Sequence, residues 1–219
     1  MEKLLKEETG LEGKIVGNIQ SELALAKPIG MIVPPRKSSY SANELIAIAN
    51  KCHKEGDLSR AESTFRIILE SIPNHPVALH FLGVIALDSG DTDAAIKLIQ
   101  RALKHLPEYY QAHNNLGNAL DTSGRIEDAA MAYEKALDIK PNYVDAMFNL
   151  GLMRRKLRRY EEAEEILERC IKLEPRRADV HFELGYSCER QGNRTKAQMC
   201  YGVALSIDPE HAFARIGLA

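Results

Sequence analysis

Tryptophan is missing from this sequence, and phenylalanine and tyrosine together make up only 6% of it. Rings ordinarily dominate core energetics, so the interior of this chain has to be closed largely by aliphatic and small side chains. Long apolar runs are missing too, and no stretch approaches the ~18 residues of a membrane span. The opening residues carry Glu2, Glu7 and Glu8 where a secretory signal needs basic charge followed by an apolar run, so a cytoplasmic protein is expected. Charge of one sign is lacking as well: 29 Lys and Arg against 31 Asp and Glu leave a net charge of -2. That gives no general bias towards nucleic acid or a membrane surface. No G-x-G-x-x-G, H-E-x-x-H or paired C-x-x-C occurs, and Gly10-Leu-Glu-Gly13-Lys14-Ile15 lacks the glycine spacing and the following Ser or Thr of a phosphate loop. No catalytic constellation, cofactor or metal site is expected from these motifs.

What is present is self-similarity. Leu116-Gly117 recurs every 34 residues as Leu82-Gly83, Leu150-Gly151 and Leu184-Gly185, with Ile48-Ala49 in its place at the first copy. Ala129 matches Ala61, Ala95, Ala163 and Ala197. Tyr133 occupies a large apolar slot filled elsewhere by Phe65, Ile99, Leu167 and Tyr201, and Pro141 has counterparts at Pro73, Pro107, Pro175 and Pro209. The period divides the chain into five copies: 42-75, 76-109, 110-143, 144-177 and 178-211. Each copy reads as a first helix of about 13 residues through Leu-Gly, a tight turn, and a second helix that stops at the proline. Gly56, Gly90, Gly124 and Gly192 mark the turns, with Arg158 as the exception. Gly117 and Ala129 fall on facing helices where the axes come closest. His113 and His181 share a slot with Leu45, Leu79 and Met147, and the four cysteines stand in slots held by alanine or leucine elsewhere or beside Tyr201. All of these read as packing residues, and unpaired thiols fit a reducing compartment.

Period and skeleton together resemble the tetratricopeptide repeat over Ala42 to His211. The resemblance implies an all-α fold, a right-handed α-solenoid of antiparallel helix pairs whose concave groove binds a peptide or protein segment. Residues 1-41 lie outside the repeats. Leu11, Ile15, Ile19 and Leu23 form one stripe of a short helix, followed by proline-containing linkers at Lys27-Gly30 and Val33-Arg36. This arm is either a leader or a segment that docks on the first repeat, another copy or a partner. Residues 212-219 begin an incomplete sixth repeat or a capping helix.

The groove is expected on the first helices, away from their Leu-Gly side. Its candidate contacts are His80, Val84, Asn114, Asn115, Asn118, Phe148, Asn149, Leu152, Phe182, Glu183 and Tyr186. Amides present donors and acceptors together, which suits an extended backbone. Chaperone co-factors of this fold hold acidic heat-shock C-termini with Lys, Asn and Arg from consecutive repeats. Here Asp145, Asn149, Asp179 and Glu183 stand in the corresponding places, so such a tail is not the expected partner. The asparagines partly resemble those of O-GlcNAc-transferase leader repeats, with Ala47, Phe81 and Glu183 breaking the ladder.

One charge anomaly remains: a basic rim of Arg154, Arg155, Lys156, Arg158 and Arg159, followed by Glu161, Glu162, Glu164 and Glu165. It reads as a self-compensating solvated face or a docking patch for an acidic segment. Without interleaved aromatics it is a poor nucleic-acid surface. The function expected is a non-catalytic interaction scaffold. The alternatives are the substrate-recruiting arm of a larger transferase and a scaffold that assembles with itself, as a homodimer through the last repeat or the N-terminal arm. The packing scheme makes a direct prediction: Ala129→Leu overpacks its interface by ~1 to 3 kcal/mol and lowers the thermal midpoint. An unchanged transition would count against it.

Overall fold

The computed structural model describes residues 40–218. The expected N-terminal helix with Leu11, Ile15, Ile19 and Leu23, and the linkers after it, lie outside these residues. The fold is all-α, a solenoid of antiparallel helix pairs. Its helices are α1 (Ala42–Lys54), α2 (Leu58–Ser71), α3 (Pro76–Asp88), α4 (Thr92–His105), α5 (Tyr110–Thr122), α6 (Ile126–Ile139), α7 (Val144–Lys156), α8 (Tyr160–Leu173), α9 (Ala178–Arg190), α10 (Arg194–Ile207) and α11 (Ala212–Leu218). Helices α1 to α4 fall in one compact unit, which ends at Pro107, and α5 to α11 in a second, which begins at Glu108. Among the described residues no helix is long and apolar enough to cross a membrane.

The turn inside each pair repeats one hydrogen-bonding pattern. Past the end of the first helix, a backbone N–H reaches five residues back to close the turn. The bonds are Asp57 to Cys52 (2.9 Å), Asp91 to Ala86 (2.8 Å), Arg125 to Leu120 (2.9 Å), Arg159 to Arg154 (2.8 Å) and Asn193 to Cys188 (2.9 Å). This Schellman closure puts the preceding residue in the left-handed region, which favours glycine. Gly124 sits there at φ 80° and Arg158 at φ 59°, so the turn that lacks glycine keeps the geometry and bears the strain of a side chain in it. Asp57, Asp91 and Asn193 then cap the next helix by accepting the N–H of Arg60 (3.1 Å), Ala94 (3.0 Å) and Lys196 (3.2 Å). Arg125 and Arg159 cannot accept there. Each instead pairs with an acid of the first turn, Asp128 and Glu162, at 2.6 Å. At the far end of the second helices Ile72, Leu106, Lys140, Glu174 and Asp208 precede proline. All five leave the helical region, with φ between -137° and -130° and ψ between 79° and 94°.

Packing within a pair depends on the contact between the Leu-Gly glycine and the large apolar slot. A methyl group on Gly117 would lie 2.5 Å from Cε1 of Tyr133, and one on Gly83 would lie 2.5 Å from Cγ1 of Ile99. Gly151 meets Leu167 in the same way, at 2.8 Å. Tyr201 is flanked on both ring edges, by Gly185 at 2.7 Å and by Gly217 of α11 at 2.5 Å. The sequence pairs Gly117 with Ala129 across the helices. Ala129 is fully buried, but the nearest approach to the glycine is made by the Tyr133 ring. In the first unit Ala49 replaces glycine, and Phe65, fully buried, stacks on Phe81 with centroids 5.2 Å apart and planes 3° from parallel. The four thiols are unpaired and buried, Cys200 among them.

Two pairs of substitutions test this account. Gly117→Ala drives a methyl into Tyr133, whose ring is held by its hydroxyl, and should cost ~1 to 3 kcal/mol of unfolding free energy. Gly202→Ala, on α10 with open space around the added methyl, should gain about 0.5 to 1 kcal/mol. Equal effects in denaturant titrations would contradict the contact scheme. Arg158→Gly relieves the left-handed strain and should stabilise by about 1 kcal/mol, while Gly124→Ala at the matching turn should destabilise. The check is the shift of the same titration midpoints.

Candidate functional site: the first-helix wall of the second unit

Helices α5, α7 and α9 each bury the glycine of Leu-Gly and leave half-buried the two residues that flank the pair, Asn115 and Asn118, Asn149 and Leu152, Glu183 and Tyr186. On α5 both are amides, and α7 adds Asn149. Asn149 of α7 donates through Nδ2 to Oδ1 of Asn114 (3.3 Å) and of Asn118 (3.2 Å), both on α5. Asn114 and Asn118 in turn donate to Oδ1 of Asn115, at 3.3 and 3.4 Å. The Tyr133 hydroxyl, rising from α6, donates to Oδ1 of Asn118 at 2.8 Å. The side chain that fills the Gly117 contact therefore also orients an amide of the wall. Burial holds the Tyr133 phenol neutral by raising its pKa, with the charge of Asp121 acting in the same direction.

The network fixes which amide groups remain for a ligand. Oδ1 of Asn115 and of Asn118 each receive two bonds, and both Nδ2 hydrogens of Asn149 are committed. Asn114 is 5% exposed and lies beneath the others. One N–H of Asn118 and Oδ1 of Asn149 are left at the surface, a donor and an acceptor on adjacent helices.

Towards α9 the wall changes character. Leu152 and Tyr186 are half-buried, in the slot that Asn118 fills on α5. Arg155 Nε lies 2.7 Å from Glu183 Oε2, and its guanidinium carbon stands 5.1 Å from the Tyr186 ring centroid. Burial pushes the Glu183 carboxyl up in pKa, and the Arg155 charge opposes that shift. Phe148 packs on the core of α7 to α10 and is covered by Arg177, whose guanidinium lies 4.7 Å from the ring centroid. Phe182 meets Tyr201 at 5.8 Å and His211 at 5.0 Å.

The basic rim is laced with acids. Arg154 contacts Glu134 and Glu162, Lys156 contacts Asp121, and Arg159 contacts Glu162. Arg158 is exposed at its turn. The acids of the last pair are matched as well: Arg177 forms a two-pronged bond to Asp179 at 2.7 and 3.2 Å and lies 3.7 Å from Asp145. The repulsion of anionic ligands expected from Asp145, Asp179 and Glu183 is therefore reduced by arginine partners.

His80 and Val84 belong to α3 of the first unit. Val84 is half-buried. His80, expected as a groove contact, is only 3% exposed, with its ring 5.0 Å from Phe81, and burial lowers its pKa to about 3. It is a neutral packing residue there, in the slot where Asn114 is also buried. Two residues that shape the wall lie outside the predicted stripe: Tyr133, read only as packing, and Arg177, at the boundary position where Tyr109 and Tyr143 stand in the preceding copies. The replacement of a ring by a guanidinium at that slot is the signal that marks Arg177.

Family models described as tetratricopeptide repeat match residues 82–144, 122–181 and 178–211. No curated protein matches the chain. Among solved structures it is similar to MamA from Desulfovibrio magneticus RS-1, at 20% identity and a TM-score of 0.69 over 78% of this chain and 96% of that one. YrrB, a tetratricopeptide-repeat protein with an unusual peptide-binding site, shares 22% identity at a TM-score of 0.69 over 78% and 89% of the two chains. PilF from Pseudomonas aeruginosa shares 20% identity at a TM-score of 0.73 over 80% of each. At these identities the structures establish the fold. The three family matches run continuously from residue 82 to residue 211, more than half of the sequence, and the chain belongs to the tetratricopeptide-repeat family.

Proposed function

We propose that the protein is a non-catalytic interaction scaffold and that the α5–α7–α9 wall of its second unit binds an extended peptide or protein segment. The observation that carries this reading is the amide cluster, in which every shared acceptor is satisfied internally except Oδ1 of Asn149. A donor on Asn118 beside an acceptor on Asn149 complements the C=O and N–H of one peptide unit, whatever side chains flank it. The bonds also hold both amides in place before a ligand arrives, which reduces the ordering cost of binding. Leu152 and Tyr186 then supply apolar contact beside that backbone grip. The peptide-binding site of YrrB lends the reading support by likeness of fold.

The same reading takes residues 42–75 as a further repeat, because α1 and α2 carry the same turn closure and the same proline exit. A C-terminal acidic tail clamped by cations from successive repeats is not the proposed ligand, since Asp145, Asn149, Asp179 and Glu183 hold those places. For a transferase's recruiting arm the relevant feature would be a ladder of stacked asparagines. Here Asn149 bonds to Asn114 and Asn118 instead of Asn115, which favours a local backbone grip.

A displayed library of linear random peptides, selected on the wild-type chain and remeasured by titration calorimetry, tests the proposal. Asn149→Ala should weaken the selected peptides about tenfold, near 1.4 kcal/mol, with an unchanged circular dichroism spectrum. Peptides that bind the variant and the wild type equally would place the binding surface elsewhere.

A further inference from the structure

Arg155 differs from the other cations around it. Arg154, Lys156 and Arg159 each donate a hydrogen bond to a carboxylate, and Arg177 grips Asp179 with two. Arg155 touches Glu183 at 2.7 Å, yet its Nε and Glu183 Oε2 are both buried without a hydrogen bond, so the contact is one of charge and not of direction. Its guanidinium carbon stands over Tyr186. The group is thus held at its Nε side by an acid and on one face by a ring. The two Nη groups make no hydrogen bond to any described residue, and the side chain is 27% exposed.

An arginine fork that is oriented, half-desolvated and unused is matched in geometry by a planar carboxylate, which it can bond at two points. We infer that the Nη edge of Arg155 is a subsite for an Asp or Glu side chain of the bound segment, one turn beyond Leu152 on α7, the helix that also carries Asn149 of the amide grip. This rests on the α5–α7–α9 wall being the binding surface. The presence of Glu183 is no bar, because the same unit already holds an arginine among several acids: Arg177 bonds Asp179 while Asp145 and Glu174 lie 3.7 Å from it. Lys156, the next residue, adds positive charge on the same helix end. The ligand so described is an extended segment with an internal acidic residue, placed next to an aliphatic or aromatic one. Lysine at position 155 would keep the charge and lose the fork, so the two can be separated.

The test uses the full chain and the peptides selected from the displayed library. Peptides selected on the wild type should be enriched in Asp or Glu at one fixed position. The strongest of them is remade with Gln in place of Glu and measured against wild type, Arg155→Lys and Arg155→Met, each checked for an unchanged melting transition. The acid-bearing peptide should bind Arg155→Met at least about tenfold more weakly and Arg155→Lys with an intermediate loss. The Gln peptide should bind all three alike, and the acid-dependent part should shrink as salt is raised. Absence of acidic enrichment, or losses from Glu→Gln and Arg155→Met that simply add, would overturn the Arg155 assignment. If Asn149→Ala still weakens those peptides, the wall remains the binding surface and only the acidic subsite falls. If neither variant changes binding, or no peptide is selected, both fall.

Discussion

The contact on which the rest depends is the one between a bare backbone carbon and a large side chain. Where the first helix carries Leu-Gly, the ring or branched chain of the second helix lies directly on the glycine, at distances that leave no space for a methyl group. This sets the separation of the two helices in each pair, and with it the turn that can join them. A closure five residues back, a left-handed residue and an exit at proline follow as the chain's way of satisfying its backbone groups at that separation. It also accounts for a chain that does without tryptophan: interfaces between thin helix pairs are filled by one large residue against one small one, repeated.

The contact is also coupled to the binding wall. Tyr133 fills the space over Gly117 and its hydroxyl orients Asn118, which in turn accepts from Asn149 on the next first helix. Tyr201 fills the space between Gly185 and Gly217, and its hydroxyl donates to Glu189 at 2.7 Å. A tyrosine in this slot therefore does what Ile99 or Leu167 cannot, since it carries the geometry of the buried interface to a polar atom at the wall. Rigid packing and an ordered polar surface come from the same side chain, so the amides are held without help from a ligand.

Much of this was legible in the sequence because its causes are local. A glycine or its absence at the turn, a proline at the exit and small residues at the crossing each constrain the few residues around them. Arg158 was readable as the break in the glycine pattern, and the structure puts it in the left-handed region all the same. The wall was legible only as a list of positions. Asn115 and Asn149 occupy equivalent slots and suggest a ladder, but the bonds from Asn149 run to Asn114 and Asn118. Their direction depends on the axial offset between neighbouring helices, which residue spacing does not contain. The burial of His80, 3% exposed with its ring 5.0 Å from that of Phe81, is likewise set by packing that residue spacing does not contain. Arg177 escaped notice because it lies between helices, where no periodic face leads to it.

The slot of Ala47, Phe81, Asn115, Asn149 and Glu183 shows where such a fold is free to vary. These five residues stand at one register of the first helices and range from a methyl group to an aromatic ring, amides and an acid. No such range occurs at the glycine beside the large slot, where only alanine departs from it, at Ala49 and Ala219. Stability thus places a strict demand on one face of each helix and a weak one on the next, and ligand chemistry is written on the second. In the second unit that writing runs from amides on α5 and α7 to an arginine at the end of α7 and an acid and a ring on α9. In the proposed reading the amide end grips a peptide backbone whatever its side chains and the charged end discriminates, so specificity would be altered at Arg155, Glu183 and Tyr186, none of which takes part in the glycine contacts that space the helix pairs.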